Sequence, residues 1–259
     1  MSTRRQQVFG TDVPVALVLG SGAKRVGNSI ARLLANEGYQ LAIHANRSLE
    51  EAEATARQLR EIGTPAIAVQ GNIAVEADAR RIVRETYQHF ARIDVLVCAA
   101  AIWRPIKLEE VTAAEVRENF EINTLGSFVC AQEAGLLMAS QPSGGTIILI
   151  GDWAIVRPYK NYAGYFPSKG AIPTLTRTLA VELASRNPRV RVNAVLPGPV
   201  MLPADLPPAE REHAIAGTLV KREGTPEHVA HAVLALVEND FITGVCLPVD
   251  GGRTIASGE

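Results

Sequence analysis

The chain has only three cysteines in 259 residues, Cys98, Cys130 and Cys246, far apart and without a CxxC pair. The pattern fits a reduced, cytoplasmic chain better than a disulfide framework, and buried free thiols are the expectation. Neither charge is in excess: 26 Lys and Arg against 27 Asp and Glu leave a formal net charge of -1. Without a basic stripe or an acidic tail, nucleic acid and other large polyanions are not expected partners. No apolar run approaches the ~18 residues of a membrane-spanning helix, so no membrane partner is expected. The opening stretch MSTRRQQVFGTD lacks the apolar core of a secretion signal. Residues 1–13 read as a polar N-terminal tail with Arg4 and Arg5 solvated. His44, His213 and His231 lack metal-ligand spacing, and no metal site is expected. With no repeats, low-complexity tracts or linkers, residues 1–259 read as a single domain.

What the chain does have is alternation. Short β-branched and apolar runs recur at 15–19, 41–45, 66–70, 94–98, 146–150, 190–195 and 245–249. Between them lie segments of helical spacing, including 49–62, 75–90, 112–140 and 225–238. Strands without polar alternation, separated by helices, predict a parallel sheet covered on both faces: a Rossmann-type, doubly wound α/β domain of about seven strands. The proline-rich stretch beginning LPGPVMLPADLPP, within residues 196–224, reads as a substrate loop or lid over the carboxyl ends of the strands.

Directly after the first run comes GSGAKRVG, placing Gly20, Gly22 and Gly27 at a strand-to-helix turn. Glycines there let backbone amides approach a pyrophosphate, and the helix N-terminus favours its charge. Lys24, Arg25 and Val26 complete the loop. The second strand ends in Asn46, Arg47 and Ser48, a cation and hydrogen-bond donors where an NAD enzyme often carries an acid. That chemistry suits a 2′-phosphate, hence NADPH over NADH.

Tyr165 and Lys169 stand four residues apart, on one face of a helix if both belong to it. An ammonium beside a phenol favours the phenolate, whose ordinary pKa is about 10. Thirteen residues before the tyrosine stands Asp152. Pro167 fits a first helical turn, whereas Pro173 predicts a bend or a lost hydrogen bond near Lys169.

The ordered set of Tyr165 and Lys169, Asn123 in FEINTLGSF, RVNAVLPG and the terminal VDGG resembles the short-chain dehydrogenase/reductase family from about Val15 to Gly252. The resemblance implies Tyr165 as proton donor, Lys169 on the nicotinamide ribose and lowering the tyrosine pKa, and Asn123 holding a water in a proton relay. It also implies that Asn72, Ala99, Ala100, Pro197, Gly198 and Val200 line the cofactor site, and that the chain forms a homotetramer through the helices carrying Asn123 and Lys169. The family's NNAG motif here reads Cys98, Ala99, Ala100, Ala101, without either asparagine. GAKRVGNSIA, HANRS, the Asp152, Tyr165, Lys169 set and MLPADLPPAERE look like the pteridine reductase branch, in which aspartate replaces the usual serine. That branch implies Arg25, Trp103, Asp152, Tyr162 and Tyr165 around a pterin or dihydrofolate-like ring whose C=N bond is reduced. An ionised, orienting Asp152 is expected. The alternative is a carbonyl reductase acting on a 3-oxoacyl thioester or a xenobiotic ketone; a third reading is an NADPH-binding regulator without turnover.

Overall fold

The computed structural model describes residues 2–256. Seven strands, β1 (Val15–Leu19), β2 (Gln40–Ala45), β3 (Ala66–Gln70), β4 (Val95–Cys98), β5 (Gly145–Ile150), β6 (Val190–Pro197) and β7 (Cys246–Val249), pair in the order β3-β2-β1-β4-β5-β6-β7. Every pairing is parallel. Strand order reverses between β1 and β4, and the crevice outside the carboxyl ends there is where such sheets bind ligands.

The continuous apolar runs follow from burial on both faces. Ala16 and Val18 of β1 pack with α2 (Val26–Asn36) and α10 (Pro226–Glu238), through Ile30, Leu34, Val229 and Val233. Leu17 and Leu19 point to the other face, against Ile82 and Val83 of α4 (Glu76–Phe90) and Cys130, Ala134 and Met138 of α6 (Ser127–Ser140). Helix α3 (Leu49–Glu61) covers β2 and β3 through Ala52, Ala56 and Leu59.

The N-terminus departs from the expected solvated tail. Residues Arg4–Phe9 form helix α1, capped by the Thr3 hydroxyl and closed by Gly10 in the left-handed region. Phe9 is buried against the edge of Tyr39, with ring centroids 6.1 Å apart. Arg4 pairs with Asp240 at 2.7 Å, and Arg5 donates to the Asp12 carbonyl. One aromatic anchor and these contacts turn a polar-looking segment into structure.

The segment 112–140 is also not one uniform helix. Helix α5 (Ala113–Phe120) begins with a Thr112–Glu115 capping box, passes into a π-helical turn at Glu121–Gly126, and continues as α6. Near Lys169, where a bend or a lost hydrogen bond is expected, the helix is interrupted at Ala171. Helix α7 (Tyr165–Gly170) ends before Ala171 and α8 (Ile172–Ala184) restarts, so Pro173 falls in a first turn where no amide partner is lost. Pro167 sits in the first turn of α7, as read.

Candidate active site

Tyr165 opens α7, and its phenol donates to Asp152 Oδ2 at 2.8 Å. Asp152 follows β5; its other oxygen accepts the Ala154 amide at 2.8 Å, capping the short turn Trp153–Ile155. The carboxylate thus caps a turn and holds the tyrosine together. Burial pushes the Asp152 carboxyl up, against the Ala154 amide, the Tyr165 hydroxyl and the charge of Lys169, which favour the ionised form.

Lys169 is buried, and its Nζ donates to the Ile150 carbonyl at 2.7 Å. Loss of hydration lowers its pKa to about 8, the Asp152 charge opposing. The expected depression of Tyr165 is not found. Burial first, then the negative charge of Asp152, push the phenol well above its ordinary value. The physical reason is the partner: the phenol faces a carboxylate, while the ammonium is turned to a backbone carbonyl.

Asn123 lies in the π turn and is fully buried. Its Oδ1 accepts the Ile102 amide at 2.9 Å, and its Nδ2 donates to Ile102 O at 3.1 Å and Ser168 Oγ at 3.1 Å. Ser168 donates to Tyr165 O at 2.6 Å, and Thr124 donates to Ser168 O at 2.7 Å. Asn123 therefore ties the loop after β4 to the helix of Tyr165 and Lys169. Asn119, whose Oδ1 accepts Asn123 Nδ2 at 3.3 Å, Thr124 and Ser168 were missed in the sequence, where nothing distinguishes them from ordinary helix positions.

Ile102, so clamped, fixes the start of the loop bearing Trp103. The indole stacks on Tyr162, with centroids 4.9 Å apart and planes 17° from parallel. Tyr162 meets Tyr165 and Tyr159 edge-on at 6.1 Å and 5.1 Å, and Tyr159 meets Phe166 at 4.9 Å. The result is an aromatic wall beside the Asp152–Tyr165 pair, one stacked pair with edge-on rings behind it. Burial, then the negative charge of Glu210, raise Tyr162 to about 12; Glu210 stands in the first turn of α9 (Pro208–Ala216), within the proline-rich segment.

On the cofactor side, Gly20 adopts φ +71°, and a Cβ there would stand 2.8 Å from Ala100 Cα. A Cβ on Gly27 would lie 2.6 Å from Gly20 O. The loop lies flush against the strand ends, and α2 begins without a side-chain cap, leaving its N-terminus open to an anion. Asn46, Arg47 and Ser48 are exposed at the end of β2, and Asn72, at the end of β3, is held by Asp78 and turns its side chain to the Ala74 amide. Pro197 ends β6, and Gly198 and Val200 follow it, with Val200 buried. These residues fit a dinucleotide: a backbone cradle, a helix N-terminus and an exposed cation, Arg47, just past the end of β2.

His44 ties neighbouring strand ends together. It accepts the Gly20 amide through Nδ1 at 3.1 Å and meets Gly71 O through Nε2 at 3.0 Å, joining the ends of β1, β2 and β3. Arg25 is not brought to the reacting groups: among the described residues no hydrogen bond, ion pair or stacking contact joins it to Asp152, Tyr165 or Trp103. With Lys24 it lines a polar cavity of about 430 Å³ with Asn28, Ser29 and Arg32, along the outer side of α2.

A family model described as enoyl-(acyl carrier protein) reductase matches residues 22–254. The chain belongs to the short-chain dehydrogenase/reductase family, whose members use a nicotinamide cofactor, and it is an oxidoreductase. A granaticin polyketide synthase protein of Streptomyces violaceoruber, named as a ketoacyl reductase, is 37% identical over 93% of this chain and 96% of its own. A 3-oxoacyl-[acyl-carrier-protein] reductase of Rattus norvegicus is 35% identical over 94% and 99%. A glucose 1-dehydrogenase of Gluconobacter oxydans is 32% identical over 92% and 91%. The names of these relatives support the carbonyl-reductase alternative better than the pteridine reading. No helix among the described residues is long and apolar enough to cross a membrane.

Proposed function

We propose that this chain is an NADPH-dependent reductase acting on a C=N bond of a flat, pterin- or dihydrofolate-like ring. The observation that carries the reading is the Asp152 carboxylate 2.8 Å from the Tyr165 hydroxyl. A carboxylate at that place repels the oxyanion that develops in ketone reduction, yet accepts from ring and amino N–H groups. The Trp103–Tyr162 stack supports the same substrate class by offering an aromatic face for ring stacking.

In this reading Asp152 receives the N–H donors of the ring and orients Tyr165. Tyr165, held protonated by burial and by Asp152, keeps its proton until a ring nitrogen becomes basic enough to take it. Lys169, an ammonium below about pH 8, offsets the charge of Asp152 and the charge left on the phenol. Asn123 would hold a water of the relay that restores the proton. Gly20, Gly22, Gly27, Ala99, Ala100 and Pro197 to Val200 would hold the dinucleotide, Asn72 its adenine side, and Asn46, Arg47 and Ser48 a 2′-phosphate. Bound there, the nicotinamide supplies the hydride.

The second reading, reduction of a 3-oxoacyl thioester, is favoured by the ketoacyl reductases among the relatives. NADPH oxidation against biopterin, dihydrobiopterin, dihydrofolate and a 3-oxoacyl thioester separates the two, with NADH as control. Turnover of the pterins or folate, exchanged for thioester turnover in Asp152→Ser, is the expected result; wild-type turnover of the thioester alone establishes the second reading. A cytoplasmic homotetramer completes the proposal. Its support is the exposed apolar surface of the helices around Asn123 and Lys169, at Leu125, Leu136 and Val181, and the three free thiols.

A further inference from the structure

Helix α9 is nine residues long and has no buried residue. A helix so short is marginal by itself, and no apolar face anchors this one. Guanidinium groups hold it instead. Arg211 Nη1 pairs with Glu223 Oε2 at 2.5 Å, and its Nη2 donates to Pro203 O at 2.9 Å, both within the same loop segment.

The other group comes from the far end of the chain. Arg253 Nη1 donates to Ala214 O and to His213 O, carbonyls of the last turn of α9, where a cation also meets the negative end of the helix. Its guanidinium lies over the ring of Trp153, 4.9 Å from the centroid. Trp153 is the residue next to Asp152. Arg253 is itself anchored: its carbonyl accepts Arg157 Nη1 at 3.1 Å, and Asp250 accepts the amides of Gly252 and Thr254 on either side of it.

A second feature follows from the same guanidinium. Gly217 closes α9 with φ -73° and ψ -6°, a conformation open to any residue. A Cβ there would overlap the Arg253 guanidinium. The absence of a side chain at Gly217 therefore serves the passage of Arg253, not the backbone.

We infer that Arg253 is a positioning residue that fastens the lid helix α9 to the turn carrying Asp152, so that closure over the aromatic wall sets substrate affinity. The inference rests on the reductase site proposed above. Among the described residues no other hydrogen bond, ion pair or ring contact joins these two elements, and Arg253 bridges them one residue from the carboxylate that holds Tyr165.

The test uses Arg253→Ala, Arg253→Lys and Gly217→Ala in the full chain. Arg253→Ala and Gly217→Ala are each expected to raise substrate KM about tenfold with kcat changed less than about threefold, the signature of lost substrate binding. Proteolysis within 201–217 should accelerate in both. Trp153 emission, read in a Trp103→Phe background, should shift in both, because the cation leaves the ring. Arg253→Lys, which keeps a cation, should recover part of the KM. Unchanged proteolysis and emission in both alanine variants overturn the clamp; faster proteolysis with unchanged KM overturns its role in substrate affinity. If the wild type turned over none of the panel substrates, the reductase reading would fall while proteolysis and emission still decided the clamp.

Discussion

Tyr165 and Asp152 share one hydrogen bond at 2.8 Å, while Lys169, on the same helix as the tyrosine, donates to Ile150 O. The site thus sets a phenol and a carboxylate in contact, with the ammonium near enough for its charge to favour the ionised carboxylate. Tyr165→Phe should lower turnover by about 10² to 10⁴, the usual worth of a positioned proton donor. NADPH affinity, measured by fluorescence titration, should stay within about twofold of wild type. A fully active phenylalanine variant would show that the proton comes from elsewhere.

The pH profile follows from Lys169. Its pKa is lowered to about 8, so the amine is charged below that pH and neutral above it. kcat/KM should therefore fall as pH rises through about 8. Because Asp152 raises the lysine pKa, Asp152→Asn should move this alkaline limb to lower pH. A limb that stays in place would assign it to another group.

Arg47→Ala should weaken NADPH by roughly 10- to 150-fold, corresponding to about 1.5–3 kcal/mol for a charge-assisted hydrogen bond. NADH binding should hardly change. An unaltered ratio of the two dissociation constants would remove Arg47 from the 2′-phosphate.

His44→Ala leaves the Gly20 amide and the Gly71 carbonyl without their partner and should cost about 2–4 kcal/mol in chemical denaturation. Burial also lowers the histidine pKa, so the unfolded chain takes up a proton that the fold refuses. That contribution to stability is present above the ordinary value of about 6.5 and is lost as pH falls below it. The alanine variant should show a flatter acid limb of stability.

The strands were legible because a parallel sheet buried on both faces demands uninterrupted apolar runs, and few other elements of this chain have them. Lys169 and Tyr165 were legible as neighbours from helical spacing. The direction of the tyrosine shift was not, because it depends on burial and on which side chain reaches the hydroxyl. Helical periodicity likewise runs smoothly through 112–140 and conceals the π turn. Phe9 gave little warning of helix α1, since its partner Tyr39 lies thirty residues on. Arg253 left no local signal, because each of its partners comes from another part of the chain.

The π turn at Glu121–Gly126 has one more consequence. A residue added to an α-helix rotates everything beyond it by about 100°, so α5 and α6 are out of phase along one continuous rod. Before the turn, Asn119 offers its Oδ1 to Asn123; within it, Asn123 reaches Ser168; after it, Cys130, Ala134 and Met138 look into the sheet. Deleting a single residue from this turn would make a straighter, more regular helix, and that repaired helix could satisfy the sheet or the tyrosine but not both.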